Sequence, residues 1–228
     1  MKSKLYILHL CAISVAVFVL GTTSAMPQTS PPTKPADADN PELKALFLDD
    51  QHDRGVEPFT VFDEHGKPVG PQKTWPVQPM ETMEKHDRER RMRVHQLLAA
   101  GSVRTGQDYF FAALIFQHGE IPEDYLLAHV LALTAAYKGN RNGRWLAAAS
   151  LDRYLLAVSR QQIYGTQFTG KAGDTVQADY DTDLLDDTLR ATSCVIPRDV
   201  QHKQWLAFRS GQSADVNTTL ISCVMGTD

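Results

Sequence analysis

The chain has 228 residues, with 27 acidic against 23 basic side chains and a formal net charge of −4. That mild acidity excludes a general nucleic-acid binder, which needs a basic field. At 43% apolar residues the chain can bury a core, and its length suits one medium domain.

The N-terminus reads as an export signal. Lys2 and Lys4 precede an apolar run from Leu5 to Leu20, and Thr23-Ser24-Ala25 supplies small residues for cleavage. The run has 16 residues, against the roughly 20 that span a bilayer. Cleavage after Ala25 leaves Met26–Asp228, and losing both leader lysines takes the charge from −4 to −6. An uncleaved membrane anchor is the alternative reading of the same run, and the only route to a membrane. The expected location is periplasmic or extracellular. Once Cys11 is removed, Cys194 and Cys223 form an even pair in an oxidising compartment, which predicts a disulfide. It would close a loop of about 30 residues and contribute about 3–4 kcal/mol. Two unpaired buried thiols are the alternative.

Residues 26–40, rich in Pro, Ser, Thr and Ala, read as a disordered linker, and the folded domain as 41–228. Asn40-Pro41-Glu42 is a strong helix start and Gly55 a stop, giving a helix over 41–54. Its stripe of Leu43, Leu46 and Phe47 continues as Asp50, Gln51 and Arg54. An Asp50–Arg54 surface pair is the plainer account, worth a few tenths of a kcal/mol. Residues 55–79 read as a loop with a short strand near Phe59–Phe62. A second helix runs over 80–100. Its Lys85–Arg93 charges, interleaved in sign, read as a solvated face.

Thr105 and Asp108 match a capping box opening a third helix, which ends at Gly119. Pro122 opens a fourth, closed by Gly139, and 143–159 forms a fifth. The fifth is apolar nearly all round and reads as the central one. Residues 162–169 and 175–180 flank a turn and predict a hairpin. A helix over 182–193 follows, and the sequence beyond Pro197 is weakly patterned, as a surface wrap would be. The fold class is mainly α: an antiparallel bundle or short repeat-like array with one small β-hairpin. No clean 34-residue repeat is present.

Within this apolar frame stand Gln117, His118, His129, Asp152, Arg153, Gln162, Tyr164 and Gln167. Buried polar groups cost a few kcal/mol unless hydrogen-bonded, so these must satisfy one another or face a cleft. His118, Asp152 and Arg153 are the candidate catalytic residues, with His118 as proton carrier and an arginine holding negative charge. Asp50, Gln51, Arg54, Gln117, Gln162, Tyr164 and Gln167 are candidate ligand-binding residues. Gly165 permits a close approach to a ligand or a strand bulge. No Gly-rich cofactor loop or nucleophile elbow occurs, and no cofactor is expected. Zinc would need His118, His129 and Asp152 to meet without local ligand spacing, so no metal is expected.

Four motifs carry a resemblance. Asp50-Gln51-His52-Asp53-Arg54, Gln117-His118, Asp152-Arg153 and Gln162-Ile163-Tyr164-Gly165-Thr166-Gln167 occur in this order. Over roughly 43–189 the chain resembles a family of uncharacterised bacterial proteins with this series, departing from it between Gly55 and Pro79. The resemblance implies a shared fold and one shared polar cluster, and brings no reaction. Three functions remain open: an exported protein binding a small molecule or protein partner through a polar cleft, a hydrolase-like enzyme using His118 as base, or a structural envelope protein.

N-terminal sequencing of the exported protein is expected to begin at Met26, and the unreduced, unfolded chain to titrate no free thiol. Met1 retained in a membrane fraction would overturn the first expectation, and two reactive thiols the second.

Overall fold

Helix signals legible in the sequence are realised as hydrogen bonds. The structure, a computed structural model, describes residues 38–56, 75–169 and 176–210, all within one unit, Asp37–Asp228. The leader, most of the linker, the expected strand near Phe59–Phe62 and Cys223 lie outside the described residues. In α1 (Pro41–Asp53), Asn40 accepts from the Glu42 and Leu43 amides at 3.0 and 3.1 Å. In α3 (Gly106–Gln117) the capping box is complete: Thr105 accepts from the Asp108 amide, and Asp108 from the Thr105 amide. Between them lies α2 (Met80–Ala99); α4 (Pro122–Tyr137) and α5 (Asn142–Ala157) follow.

The chain is mainly helical, and its packing is that of a helical bundle. α3, α4 and α5 form consecutive helical hairpins over the short connections 118–121 and 138–141, as short links between packed helices require. Small residues bring the helices close: Ala128, Ala132 and Ala135 of α4 face Ala147–Ala149 of α5, all buried. Gly143 is forced by this approach, since a Cβ there would lie 2.5 Å from the Ala132 carbonyl oxygen. Leu43, Phe47, Val94, Phe111, Ile115, Phe116, Leu131 and Leu146 fill the core, with the Phe47 and Phe111 rings stacked at 4.4 Å.

Four expectations are corrected. The central helix is α3, which touches α1, α2, α4 and α5; α5 packs mainly on α4. Among the described residues the regular ladder is confined to β1 (Phe168–Thr169) and β2 (Val176–Gln177), with an isolated bridge between Gln162 and Tyr180, because amides 163, 164 and 166 turn inward to Asp152 rather than across a ladder. The helix expected over 182–193 begins only at Asp187 (α6, Asp187–Thr192). Asp186 caps it, and Asp181 first gathers the Asp183 and Leu184 amides into a turn. Beyond Pro197 the chain forms α7 (Arg198–Arg209), whose buried inward residue is Gln201. A helix that docks through a glutamine leaves no apolar period at that position. Among the described residues no helix is long and apolar enough to cross a membrane.

Asp108 joins two helix starts. Fully buried, it accepts from the Asn40 amide at 2.7 Å as well as from the Arg104 and Thr105 amides at 2.9 and 3.1 Å. Asp108→Ala leaves these donors without an acceptor and is expected to cost about 2–4 kcal/mol in urea unfolding. The exposed cap change Asp186→Ala should cost about 1 kcal/mol. Equal losses would show that Asp108 acts as an ordinary cap.

Candidate functional site

The last turn of α1 carries the site's first carboxylate. Asp50 is fully buried, and a charge there must gather donors. Arg54, one helical turn on, binds it through Nη1 at 3.0 Å, and Gln51 donates to it at 2.7 Å. His118, the C-cap of α3, places Nδ1 3.0 Å from both carboxylate oxygens. An ionised carboxylate only accepts, so Nδ1 carries the proton and Nε2 remains the ring's other polar atom. Burial alone would raise the Asp50 carboxyl. The His118 hydrogen bond, with the charges of His118 and Arg54, outweighs it and holds the group below its ordinary value.

The network continues into α2. Arg54 Nη2 donates to Asp87 at 2.6 Å, and the other Asp87 oxygen accepts from Arg90 at 2.7 Å. Arg90 also donates to Asp53 at 2.8 Å, and His86 Nδ1 lies 2.9 Å from that same Asp53 oxygen. Burial would raise Asp53, but Arg90 and His86 together hold it low. Arg91 donates to the His118 carbonyl and to Glu120, both at 3.0 Å, fixing the end of α3. Asp87, Arg90 and Arg91 are all buried, so the reading of the Lys85–Arg93 charges as a solvated face is corrected. The missed signal is spacing: 87, 90, 91, 94 and 97 lie on one helix face, and its last two members are Val94 and Leu97.

A second network surrounds Asp152, also fully buried. Its oxygens accept from the amides of Ile163, Tyr164 and Thr166 at 2.8–2.9 Å and from the Thr166 hydroxyl at 2.7 Å. Four donors from the 163–167 loop occupy it, so it shapes that loop, and it lines neither cleft described below. Gln162, fully buried, donates to the Gln167 and Ala178 carbonyls. The Tyr164 carbonyl accepts from Arg190 and Gln201, and its hydroxyl from Ser193. Gly165 has φ +68°, and a Cβ there would come within 3 Å of Gln177, Gln201 and Tyr180. Protein side chains, rather than a ligand, make its close approach.

The single cluster expected from sequence is therefore two networks. α1 does not lie on α5 as expected; α3 packs on both. Arg153 joins the networks, donating through Nε to Gln167 at 3.0 Å and through Nη1 to the Gln117 carbonyl at 2.5 Å. Among the described residues no carboxylate pairs with Arg153, and Nη2 has no hydrogen-bond partner. Burial, with Arg54 nearby, pushes its guanidinium below the ordinary arginine value, only partly opposed by Tyr125. The buried Gln117 Oε1 has no partner among the described residues. His118, His129 and Asp152 do not meet: His129 Nδ1 bonds the Ala147 carbonyl. Among the described residues no group of three or more His, Cys, Asp or Glu side chains is set to hold a metal.

Two clefts flank the first network. The one beside His118 has about 250 Å³ and is lined by Arg54, Glu84, Asp87, His118, Glu120 and Arg153, with Met80 and Gly119 at its edge. The other, about 680 Å³, has Asp53, His86 and Arg90 in its wall and the stacked His52–Trp75 pair, rings 3.7 Å apart. Of the residues expected from sequence, Arg54, His118 and Arg153 reach the smaller cleft. Asp50 stands behind them against His118, and Gln51 donates to Asp50. No protein-family model, curated protein or solved structure matches this chain.

Because Asp50 and Asp53 are held low in the folded state, their stabilisation is complete above the unfolded carboxylate value, about pH 4, and is lost as pH falls through their folded values. Asp50→Asn is expected to cost about 3–5 kcal/mol at neutral pH. It should also flatten the loss of stability between about pH 5 and pH 2. Chemical unfolding across that range checks both, and an unchanged acid limb would remove Asp50 from the centre of the network.

Proposed function

We propose that this is an exported binding protein whose smaller cleft takes a small zwitterion, such as a free amino acid. The observation that carries the reading is Arg153: a half-buried guanidinium at the cleft that, among the described residues, is hydrogen-bonded only to neutral acceptors and meets no carboxylate. A ligand carboxylate would supply the missing charge and meet the open Nη2. Arg54, already committed to Asp50 and Asp87, adds positive potential at the same wall. Glu84, exposed on that wall and unpaired among the described residues, is suited to a ligand ammonium. The volume suits a molecule of a few heavy atoms, below the usual range of about 300–1,000 Å³ for drug-sized ligands.

Export and a Cys194–Cys223 bridge belong to the same proposal. Cys194 is buried after α6, and a bridge there would tie the C-terminal segment to the domain. The resemblance to a family of uncharacterised bacterial proteins belongs to the same proposal, and the motifs that carry it include Arg54, His118 and Arg153.

One observation favours a second reading. The Asp50–His118 pair has the form of a general-base dyad, in which a carboxylate fixes the imidazole tautomer. A hydrolase would use it to activate water, with Arg153 stabilising negative charge. Among the described residues no serine, threonine or cysteine lines the cleft to act as nucleophile. A purely structural network would give neither turnover nor ligand response.

Calorimetric titration with glycine, alanine and serine, beside acetate and ethylammonium, tests the leading reading. The zwitterions are expected to bind at least about tenfold tighter than either half-ligand, and Arg153→Gln to weaken them by about 10- to 100-fold, or 1.4–2.7 kcal/mol. Acetate binding as tightly as glycine would remove the ammonium site. No response to any of them would overturn the proposal, and turnover lost in His118→Asn would install the hydrolase in its place.

A further inference from the structure

His129 stands on an apolar helix but belongs to neither polar network and lines neither cleft beside Asp50. It opens on a third concavity, a groove of about 300 Å³ where α4 and α5 meet the loop after α5 and the end of α6. The ring is half-buried, and its Nδ1 lies 2.8 Å from the Ala147 carbonyl oxygen. A carbonyl only accepts, so Nδ1 carries the proton and Nε2 of the neutral ring is left as an acceptor.

Two further polar groups share the groove. The Tyr164 backbone is held at both ends, its amide by Asp152 and its carbonyl by Arg190 and Gln201, so its side chain starts from a fixed position. Its hydroxyl accepts from Ser193 at 3.2 Å, and among the described residues nothing takes the proton it can donate. Arg144, in the first turn of α5, is exposed and makes no hydrogen bond or ion pair among the described residues. Among those residues no acidic side chain lines the groove, so its field is positive.

The register of the helices sets the order of these groups. α4 and α5 run antiparallel, with Gly143 against the Ala132 carbonyl and His129 against the Ala147 carbonyl. Arg144 therefore leaves α5 about one helical turn, or about 5 Å, from the level of the imidazole. Tyr164 is tied to Asp152, further along α5 in the direction away from Arg144. The remaining wall is apolar and includes Leu133, Tyr137, Ala147 and Ala148. One molecule would meet all three uncommitted groups: an anionic group at Arg144, a flat apolar body, and a hydroxyl that donates to His129 Nε2 and accepts from Tyr164.

We infer that this groove is a second ligand site, for a small aromatic carboxylate that carries a ring hydroxyl. Its volume stands at the lower end of the range for small-molecule sites, about 300–1,000 Å³. It offers no acidic partner to an ammonium group, so it does not compete for the zwitterion of the smaller cleft and stands whether or not that reading holds.

Calorimetric titration of the full exported chain with para-hydroxybenzoate, benzoate and phenol tests the site. The hydroxybenzoate is expected to bind at least about tenfold tighter than benzoate or phenol, and Arg144→Gln to weaken it about tenfold or more. Tyr164→Phe should remove its advantage over benzoate. Arg153→Gln, at the smaller cleft, should leave it unchanged. Helical circular dichroism should be the same in the three variants. Absence of para-hydroxybenzoate binding at millimolar concentration overturns the proposal, and so does binding that Arg144→Gln leaves intact. Phenol binding as tightly as the hydroxybenzoate would remove the anion site, and loss of binding in Arg153→Gln would place the ligand in the smaller cleft instead.

Discussion

A carboxylate without solvent exposure, Asp50, sets the arrangement of one whole end of the bundle. Its backbone neighbours on α1 spend their amides on helical bonds, so its donors must be side chains or must come from another element. Arg54 approaches from the next turn, Gln51 from the adjacent position and His118 from the end of α3. Each donor brings a further obligation. The second arm of Arg54 requires Asp87, Asp87 accepts from Arg90, and Arg90 requires Asp53. The chain of bonds closes only when α1, α2 and the end of α3 stand in one register. Apolar packing of Leu43, Phe47, Val94 and Phe111 brings these helices together but would tolerate small sliding. The ionic network does not, because its bonds are directional and its charges are buried.

Asp152 solves the same problem differently. It is equally buried, yet it satisfies its charge with three backbone amides and one hydroxyl, all from a single loop. Backbone donors carry no charge to be neutralised in turn, so the obligation ends there and the loop is fixed. Around Asp50 every charged donor passes the requirement outward until it reaches solvent-facing groups, and those groups form the walls of the two clefts. The difference in donor type explains why Asp50 stands beside a cleft and Asp152 stands beneath a loop, although both interrupt apolar helices in the same way.

What was legible in the sequence divides along the same line. Helix ends were, because caps act locally: Asn40-Pro41-Glu42 and Thr105–Asp108 each name their own hydrogen bonds. The polar end of the α1 stripe was legible as well, since Asp50 and Arg54 continue the period of Leu43 and Phe47. The burial of Asp87, Arg90 and Arg91 was hidden by exposed charges placed between them, and alternation of sign reads as solvation unless each helical position is followed separately. α7 was hidden because the residue that docks it, Gln201, is polar and holds it through hydrogen bonds to the Gly165 and Tyr164 carbonyls. The central position of α3 over α5 was not legible because both helices are nearly uniformly apolar, and only tertiary packing distinguishes them.

Two arginines, half-buried Arg153 and fully buried Arg190, show where the molecule is complete and where it is not. Burial lowers the guanidinium value of both Arg153 and Arg190. Arg190 is enclosed by the Ile196 and Tyr164 carbonyls, the Tyr180 hydroxyl and Gln201, with the Asp187 carboxylate at 3.5 Å. Its donors and its charge are both met, and it serves to bind α6, α7 and the 163–167 loop together. Arg153 meets two neutral acceptors, has a second arginine nearby and touches no carboxylate among the described residues. A chain able to complete Arg190 so fully has the means to complete Arg153, by as little as one acidic residue on the facing wall. Buried charge left uncompensated costs stability, and such departures from internal consistency gather where a protein must receive something else. The deficit at Arg153 has one sign and one place, the edge of the cleft beside His118. A ligand that carries a carboxylate there would lower the free energy of the folded state by meeting it, and its binding would register as added stability.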